Sequence, residues 1–173
     1  MIENNNDECW LPELIAFENL ANWAVHEEYL YKIFKEDFID DWPFFLGKKV
    51  RIRYHPKEND KENAFYHVTC RDFAKNNDRS PDIRRCERIL WIRAFIENYN
   101  CCLNKHCLEC EGIKLWREPY KSHYRVYILL QEERYVVILE ERPEYYLLIT
   151  AYWIEYEHKL EKLLSHYEQY REK

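Results

Sequence analysis

Residues 82–96 have the sequence DIRRCERILWIRAFI, and the interpretation of the whole chain begins with this stretch. Ser80 is a suitable N-cap, Pro81 suits the first helical position, and Asp82 favours the positive end of a helix. At about 100° per residue, the apolar side chains gather in one sector. The spacing predicts one central helix over 82–96, with a core face made of Ile83, Cys86, Ile89, Leu90, Ile92, Ala94 and Ile96.

Two arginines of this helix, Arg85 and Arg93, fall within the apolar sector. A cation on an apolar face is costly unless it is paired or functional. Three explanations are open: the side chains snorkel to the surface, pair with acids such as Glu140, or line an anion site. A separate basic and aromatic stripe on the same helix consists of Arg84, Arg88, Trp91 and Phe95.

The charge of the chain is distributed unevenly. Residues 1–46 contain 11 acids and 2 bases, a net charge of −9, whereas residues 47–173 contain 21 acids and 24 bases, a net charge of +3. We therefore divide the 173 residues into an acidic helical extension (1–46) and an α+β domain (47–173). The extension is interpreted as a solvated face, as a mask over a basic groove, or as the binding site of a partner. The basic remainder is compatible with binding of a polyanion.

Several function classes are disfavoured by composition. The chain has only two glycines and no glycine-rich phosphate loop, which argues against nucleoside-triphosphate and dinucleotide enzymes. We find no signal peptide and no apolar run of about 18 residues, so we expect a cytoplasmic protein with no membrane association. Its seven cysteines are then expected to be thiols or metal ligands rather than disulfides.

Hydrophobic periodicity predicts helices and strands in both parts of the chain. Two helices are expected within 10–41, and a final helix over about 154–170 with Tyr156, Leu160, Leu163, Leu164 and Tyr167 facing inward. Alternating patterns predict strands over 48–54 and 65–69, and an antiparallel meander over 113–116, 124–130, 135–139 and 145–153. The fold class is therefore α+β, with helices on one face of a four- to five-stranded antiparallel sheet and an N-terminal helical extension.

One set of residues would suit metal-independent cleavage of RNA. His67 is a proton carrier near neutral pH, and arginines can hold a phosphate and neutralise charge in its transition state. Thr150 and Tyr152 share one face of the last strand and can donate hydrogen bonds. The candidate catalytic residues are His67, Arg85, Arg93, Thr150 and Tyr152, and the candidate substrate-binding residues are Thr69, Arg84, Arg88, Trp91 and Arg142. Each also has a purely structural explanation.

The order of these motifs resembles the phage and defence-associated branch of the barnase–EndoU–colicin–RelE nuclease superfamily. The resemblance rests on FYHVT at 65–69, RSPDIRRCERILWIR at 79–93, IKLW at 113–116, YVVILEER at 135–142 and LLITAY at 147–152. It implies a small ribonuclease, often a toxin, with helices packed on a four-stranded antiparallel sheet. It also implies that His67 is the acid or base, that an arginine of the central helix binds the phosphate, and that Thr150 and Tyr152 form the floor.

The cysteine-rich insert at 98–112 is a candidate zinc site. Cys107 and Cys110 form a C-x-x-C motif, and Cys102 with His106 completes four local ligands for a tetrahedral structural zinc. Cys101, Cys70 or Cys86 are alternative ligands, because His106 and Cys107 are adjacent in sequence. The competing explanation is that these thiols pack as small apolar residues. We expect no cofactor for catalysis.

The leading functional hypothesis is a metal-independent endoribonuclease, toxin- or defence-like, that cleaves RNA by attack of the 2′-hydroxyl. Its expected partners are RNA and a cognate inhibitor or antitoxin protein. The alternative is a non-catalytic module that binds nucleic acid or protein. In that case the stripe on the central helix would supply stacking and phosphate contacts through Arg84, Arg88, Trp91 and Phe95.

Overall fold

Residues 9–71, 75, 79–101 and 111–172 are described by a computed structural model of the chain. Within these ranges, six strands form one mixed sheet: β1 (Phe44–Phe45), β2 (Lys48–Arg51), β3 (Lys114–Tyr120), β4 (His123–Leu130), β5 (Tyr135–Glu141) and β6 (Tyr146–Trp153). Their spatial order is β1-β2-β6-β5-β4-β3. Neighbouring strands are antiparallel except β2 and β6, which are parallel. The α+β class and the β3–β6 meander are as predicted, whereas the sheet is larger than expected and mixed.

The described helices are α1 (Trp23–Lys35), α2 (Asn63–Thr69), α3 (Ile83–Cys86), α4 (Ile89–Glu97) and α5 (Glu157–Tyr170). A 3-10 turn (Leu20–Asn22) precedes α1 and a π-helical turn (Glu36–Asp40) follows it. The prediction of two helices within 10–41 was therefore wrong for residues 10–19, which form no helix and pack several partly buried side chains against the core. Ile15 N donates to Glu87 O at 2.9 Å, so this segment takes backbone hydrogen bonds from elsewhere in the fold.

The predicted strand over 65–69 is instead part of α2. Its aromatic and β-branched residues suggested an alternating strand, but nearly every side chain of α2 is buried, including Phe65, Tyr66, Val68 and Thr69. A segment buried on all sides carries no reliable period of two. Thr69 Oγ1 donates to Phe65 O at 2.8 Å, one helical turn back, which supports the helix.

The predicted single helix over 82–96 is divided into α3 and α4 at Glu87 and Arg88. Asp82 is the N-cap of α3, rather than Ser80, and its carboxylate accepts from Arg84 N at 3.0 Å. The carbonyl of Glu87 is used by Ile15 N, so the extended N-terminal segment intervenes in the helical ladder at this point. The break changes which side chains of α4 face the core.

Helices cover both faces of the sheet, whereas the prediction placed them on one face. Buried residues of α1, α2 and α4 share a cluster with one face of β4, including Val126 and Ile128. On the opposite face, Leu160 of α5 packs with Leu129 and Val136. β5 is buried from Tyr135 to Glu140, as expected of a strand covered on both sides.

The acidic extension packs into the same core as the remainder of the chain. Leu30 and Phe34 of α1 belong to the cluster that includes α4 and the sheet, and Phe45 of β1 is fully buried there. The boundary between residues 46 and 47 falls within the β1–β2 hairpin. Tyr156 was predicted to face inward, but it is the N-cap of α5 and is 48% exposed.

Arg93 joins α4 to the turn that follows α1. Its Nε donates to Glu97 at 2.8 Å, its Nη2 to Asp41 at 3.0 Å, and its Nη1 to the carbonyl of Asp37 at 3.0 Å. Of the three explanations for Arg93, structural pairing applies. Burial raises the pKa of the neighbouring Asp37 carboxyl to about 6, although the charge of Arg93 opposes this shift.

We expect Asp37→Asn to stabilise the protein by about 1–2 kcal/mol at pH 8. The folded-state pKa of Asp37 lies above the ordinary 3.8, so ionising this carboxyl costs more in the folded protein. Ionisation of Asp37 therefore lowers the stability of the protein as the pH rises from about 4 to about 6, and the loss persists at higher pH. Urea unfolding at several pH values measures this, with exposed Asp40→Asn as the control. A stabilisation that is the same at pH 4 and pH 8 would contradict the assignment.

Candidate functional site

A cavity of about 360 Å³ opens where α2 and α3 meet the centre of β6. We call it the arginine cavity, after four of its lining residues, Arg53, Arg71, Arg85 and Arg125. None of the described residues that line it is acidic. The remaining lining residues are Ala64, His67, Cys70, Tyr120, Leu148, Ile149, Thr150 and Tyr152.

Four of the five predicted catalytic residues line this cavity: His67, Arg85, Thr150 and Tyr152. Arg85 Nη1 donates to the carbonyl of His67 at 2.8 Å and to Thr150 Oγ1 at 3.3 Å, and Thr150 Oγ1 donates to the same carbonyl at 2.9 Å. These bonds join the end of α2 to α3 and β6. Arg85 and Thr150 therefore hold the backbone of His67 in place at the cavity wall.

A β-bulge in β6 helps to place Thr150. Ile138 pairs with Thr150, but the next residue of β5, Leu139, pairs with Leu148, so Ile149 is an extra residue. Both Ile149 and Thr150 line the cavity. Bulges of this kind redirect side chains locally, and they are frequent next to active sites.

His67 is half-buried, and its environment favours the neutral imidazole. Burial lowers the pKa of His67 below its ordinary value of 6.5, and the positive charges of Arg53 and Arg85 lower it further. At neutral pH the ring is therefore uncharged and able to accept a proton.

Arg85 is largely buried, and its guanidinium lies 5.4 Å from the ring centroid of Tyr152. Burial lowers its pKa, although an arginine keeps its charge at neutral pH. Asp82 is at 3.9 Å from Arg85 Nε, a long ion pair. Of the three explanations for Arg85, lining a site that attracts anions agrees with this position. Burial also raises the pKa of the Tyr152 hydroxyl, so this phenol remains protonated.

Sequence reasoning missed the other three arginines of the cavity. Arg53 is exposed, and among the described residues no carboxylate forms an ion pair with it. Arg125 lies 3.4 Å from the ring centroid of Tyr120 and 3.4 Å from Glu140. Arg71 pairs with Asp82 at 3.0 Å and Glu155 at 2.9 Å. Arg125 lies on β4 and Arg53 follows β2, and the alternating pattern of the strands could not show that both side chains reach one cavity.

The charge around the cavity is positive even after its ion pairs are counted. Glu140 is buried and shared between Arg125, which lines the cavity, and Arg142, which does not. Five arginines, the four that line the cavity and Arg142, face three carboxylates, Asp82, Glu140 and Glu155. An excess of two positive charges in a partly buried cleft attracts an anion such as a phosphodiester.

The remaining predicted site residues lie outside the cavity. Arg84 is exposed and lies 4.6 Å from the ring centroid of Trp153. Thr69 is buried and bonds within α2. Arg93 joins α4 to the turn after α1, as described above.

The basic and aromatic stripe is not a surface for stacking. Trp91 is 3% exposed, and its Nε1 donates to Pro12 O at 2.7 Å. Arg88 is 6% exposed and bonds to Glu87 and to the carbonyl of Arg84, while Phe95 is fully buried. The expectation that Arg88, Trp91 and Phe95 contact nucleic acid was therefore wrong, because the break at Glu87 turns them toward the core.

The predicted zinc ligands Cys102, His106, Cys107 and Cys110 lie outside the described residues. Across the ranges that are described, no group of three or more histidine, cysteine or acidic side chains is arranged to hold a metal ion. Two of the alternative ligands have other contacts: Cys86 donates to the carbonyl of Thr69 at 3.6 Å, and Cys101 accepts from Trp10 Nε1 at 2.8 Å. Burial raises the pKa of Cys86, which keeps it a thiol.

Comparison of the chain with protein-family models, curated proteins and solved structures gives no match. The resemblance to the nuclease superfamily thus remains a prediction from sequence. In the described ranges, no helix combines the length and apolar character needed to cross a membrane.

Proposed function

We propose that the protein is a metal-independent endoribonuclease that acts at the arginine cavity. The observation that carries the proposal is the presence of a neutral histidine beside several arginines in a cavity with no acidic lining residue among those described. Phosphodiester cleavage needs a base for a hydroxyl and positive charge around the phosphate, and this cavity offers both. The toxin- or defence-like role and the cognate antitoxin remain predictions from the resemblance.

Four of the lining residues have a direct role in the proposed reaction. Neutral His67 accepts the proton of the ribose 2′-hydroxyl as its oxygen attacks the adjacent phosphorus. Arg53 and Arg125 bind the non-bridging oxygens, whose negative charge grows as the bond to the 5′-oxygen breaks. The departing 5′-oxygen takes a proton from Tyr152. Tyr152 then regains a proton from solvent, and protonated His67 releases one to solvent. The products end in a 2′,3′-cyclic phosphate and a 5′-hydroxyl.

Incubation of the purified protein with a defined RNA in EDTA tests this proposal. We expect cleavage to 2′,3′-cyclic phosphate ends, and no cleavage at a position where the 2′-hydroxyl is replaced by hydrogen. A protein that folds, binds this RNA and leaves it intact would overturn the ribonuclease proposal in favour of a non-catalytic binding module. Cleavage that continues at the 2′-deoxy position would overturn the mechanism.

We expect Arg53→Ala to lower kcat/KM for RNA cleavage about tenfold, because one charged phosphate contact is lost. The same change removes a positive charge beside His67, so the pKa of His67 rises toward 6.5. Activity requires the neutral ring, and the acid limb of the pH profile therefore moves to higher pH. Rates measured between pH 4.5 and 8 check both effects.

Arg117→Ala is the matched control for Arg53→Ala. Arg117 is also exposed, and its replacement by alanine removes the same charge. However, Arg117 lies on β3, pairs with Glu141 and does not line the cavity. If both variants lower kcat/KM equally and leave the pH profile in place, Arg53 acts only through the overall charge of the protein.

A further inference from the structure

A second cavity, of about 660 Å³, adjoins the arginine cavity. The two share four lining residues, Arg71, Arg85, Tyr120 and Tyr152, so they form one continuous cleft. We call the second the tyrosine cavity. Its distinctive lining residues are Tyr127, Tyr156, Lys159, Lys162 and His166.

Aromatic side chains line the tyrosine cavity. Tyr156 lies at the start of α5 and is 48% exposed, and its ring stacks with that of His158, with centroids 5.6 Å apart. Tyr127 stacks on Trp116 with ring centroids 4.8 Å apart, an arrangement that holds its ring in position. Exposed aromatic rings beside a phosphate site are typical stacking platforms for nucleobases.

The charge of the tyrosine cavity also favours a nucleic acid. Its three acidic residues are engaged: Asp82 and Glu155 pair with Arg71, and Glu118 bonds to His166. Lys159 and Lys162 have no carboxylate partner in the part of the chain that the structure describes, and Lys159 Nζ lies 5.2 Å from the ring centroid of Tyr156. Two uncompensated lysines next to an exposed ring suit a nucleotide with its backbone phosphate.

The buried carboxylate of Glu118 orients the ring of His166, which lines this cavity. Glu118 accepts from Trp116 Nε1 at 2.8 Å and lies 3.0 Å from His166 Nδ1. Because Nδ1 faces a carboxylate, we assign the ring proton to Nδ1, and in that tautomer Nε2 is an acceptor. An oriented acceptor among aromatic rings is the type of group that recognises an edge of a base.

We propose that the tyrosine cavity binds the nucleoside adjacent to the phosphate in single-stranded RNA, with its base stacked on Tyr156. This inference rests on the proposed function, since it takes the arginine cavity to hold the phosphate. The cleft then accepts at least one base together with the phosphodiester, and duplex RNA is excluded because a paired base cannot enter the cavity.

Binding of non-cleavable probes tests this inference without any need for turnover. The probes are inorganic phosphate, a 2′-O-methyl dinucleoside monophosphate with uracil bases, and the two analogues of that dinucleotide that lack one base. NMR titration gives the Kd of each. We expect removal of one of the two bases to weaken binding about tenfold.

Tyr156→Ala identifies where that base binds. We expect it to raise the Kd of the full dinucleotide about tenfold and to leave the Kd of phosphate unchanged. For the analogue without the stacked base, the variant and the wild type should bind alike. Tyr29→Ala, at a tyrosine that is 53% exposed on α1 and lines neither cavity, should change no Kd.

The outcomes separate this inference from the proposed function. If phosphate binds but the bases add no affinity, or if Tyr156→Ala leaves the dinucleotide Kd unchanged, the tyrosine cavity is not a nucleoside site. If phosphate itself fails to bind, the arginine cavity is not a phosphate site and both proposals fall. Because Tyr156 is exposed and caps α5 with its backbone, the alanine variant should fold.

Discussion

Replacement of His67 by glutamine is expected to lower kcat/KM for RNA cleavage by about 10²–10⁴-fold. Glutamine retains a polar side chain of similar length but cannot accept and release a proton near neutral pH. The hydrogen bonds from Arg85 and Thr150 reach the backbone carbonyl of His67 rather than its ring, so they survive the change. The variant should therefore keep its fold and its affinity for phosphate while losing turnover. Rates with a labelled RNA, together with circular dichroism, measure both.

A second histidine variant provides the control. His26 is partly buried, contacts the carbonyl of Asn19 and lies outside both cavities, so His26→Gln should cleave RNA at the wild-type rate. Undiminished cleavage by His67→Gln would show that His67 does not transfer the proton, and would leave Arg85 and Tyr152 as candidates for that role. If instead the variant also fails to bind phosphate, His67 contributes to binding and its catalytic role is not separated from it.

The proposed chemistry of His67 has a direct consequence for pH. The pKa of this ring is lowered by burial and by Arg53 and Arg85, so the base form is already present below pH 6.5. For the wild type we expect kcat/KM to reach its plateau in mildly acidic solution. The same arginines that bind the phosphate thus also keep the base unprotonated.

The meander of the fold could be predicted from sequence because its strands alternate and its turns are marked. Residues 124–130 and 145–153 were both predicted as strands, and β4 and β6 occupy nearly the same ranges. This pattern also placed Thr150 and Tyr152 on one face. Parallel pairing of β2 with β6 could not be predicted, since two paired residues leave no periodic signal.

The predicted catalytic group included His67, Arg85, Thr150 and Tyr152, which line one cavity, but also Arg93, which does not, and the strand predicted around His67 is a helix. α2 is buried on all sides, so the sequence FYHVT has no polar face to distinguish a helix from a strand. Arg53 and Arg125 were missed for another reason. Arg125 lies on a strand distant in sequence from α2, and Arg53 lies between β2 and α2, so no local pattern in the sequence shows that both reach the same cavity.

The central stretch shows how one break changes a whole set of assignments. Continuous helical spacing over 82–96 placed Trp91 on an outer stripe, whereas α3 and α4 are separate and Trp91 is buried. Its ring packs edge-on against Tyr135, with centroids 5.3 Å apart, and lies nearly parallel to Phe95. At the break, the carbonyl of Glu87 accepts a hydrogen bond from Ile15, which lies 72 residues earlier in the chain. Hydrophobic periodicity cannot detect a contact over that distance in sequence.

We expect Trp91→Ala to destabilise the protein by about 3–5 kcal/mol, the usual cost of removing a buried aromatic side chain. The change opens a cavity beside Tyr135 and Phe95 and leaves the carbonyl of Pro12 without its partner. A loss of this size is a large fraction of the stability of a domain. Urea unfolding followed by circular dichroism measures it.

Trp91→Phe separates the two contributions to that loss. It retains most of the buried ring but not the Nε1 donor, so we expect a loss of about 1–3 kcal/mol, which is the cost of leaving the Pro12 carbonyl unsatisfied. For both variants, RNA affinity measured under conditions where the protein is folded should equal that of the wild type, because Trp91 lines neither cavity. A fully stable Trp91→Ala that binds RNA weakly would instead place this ring at the surface. The stacking stripe would then replace the tyrosine cavity as the binding site for bases.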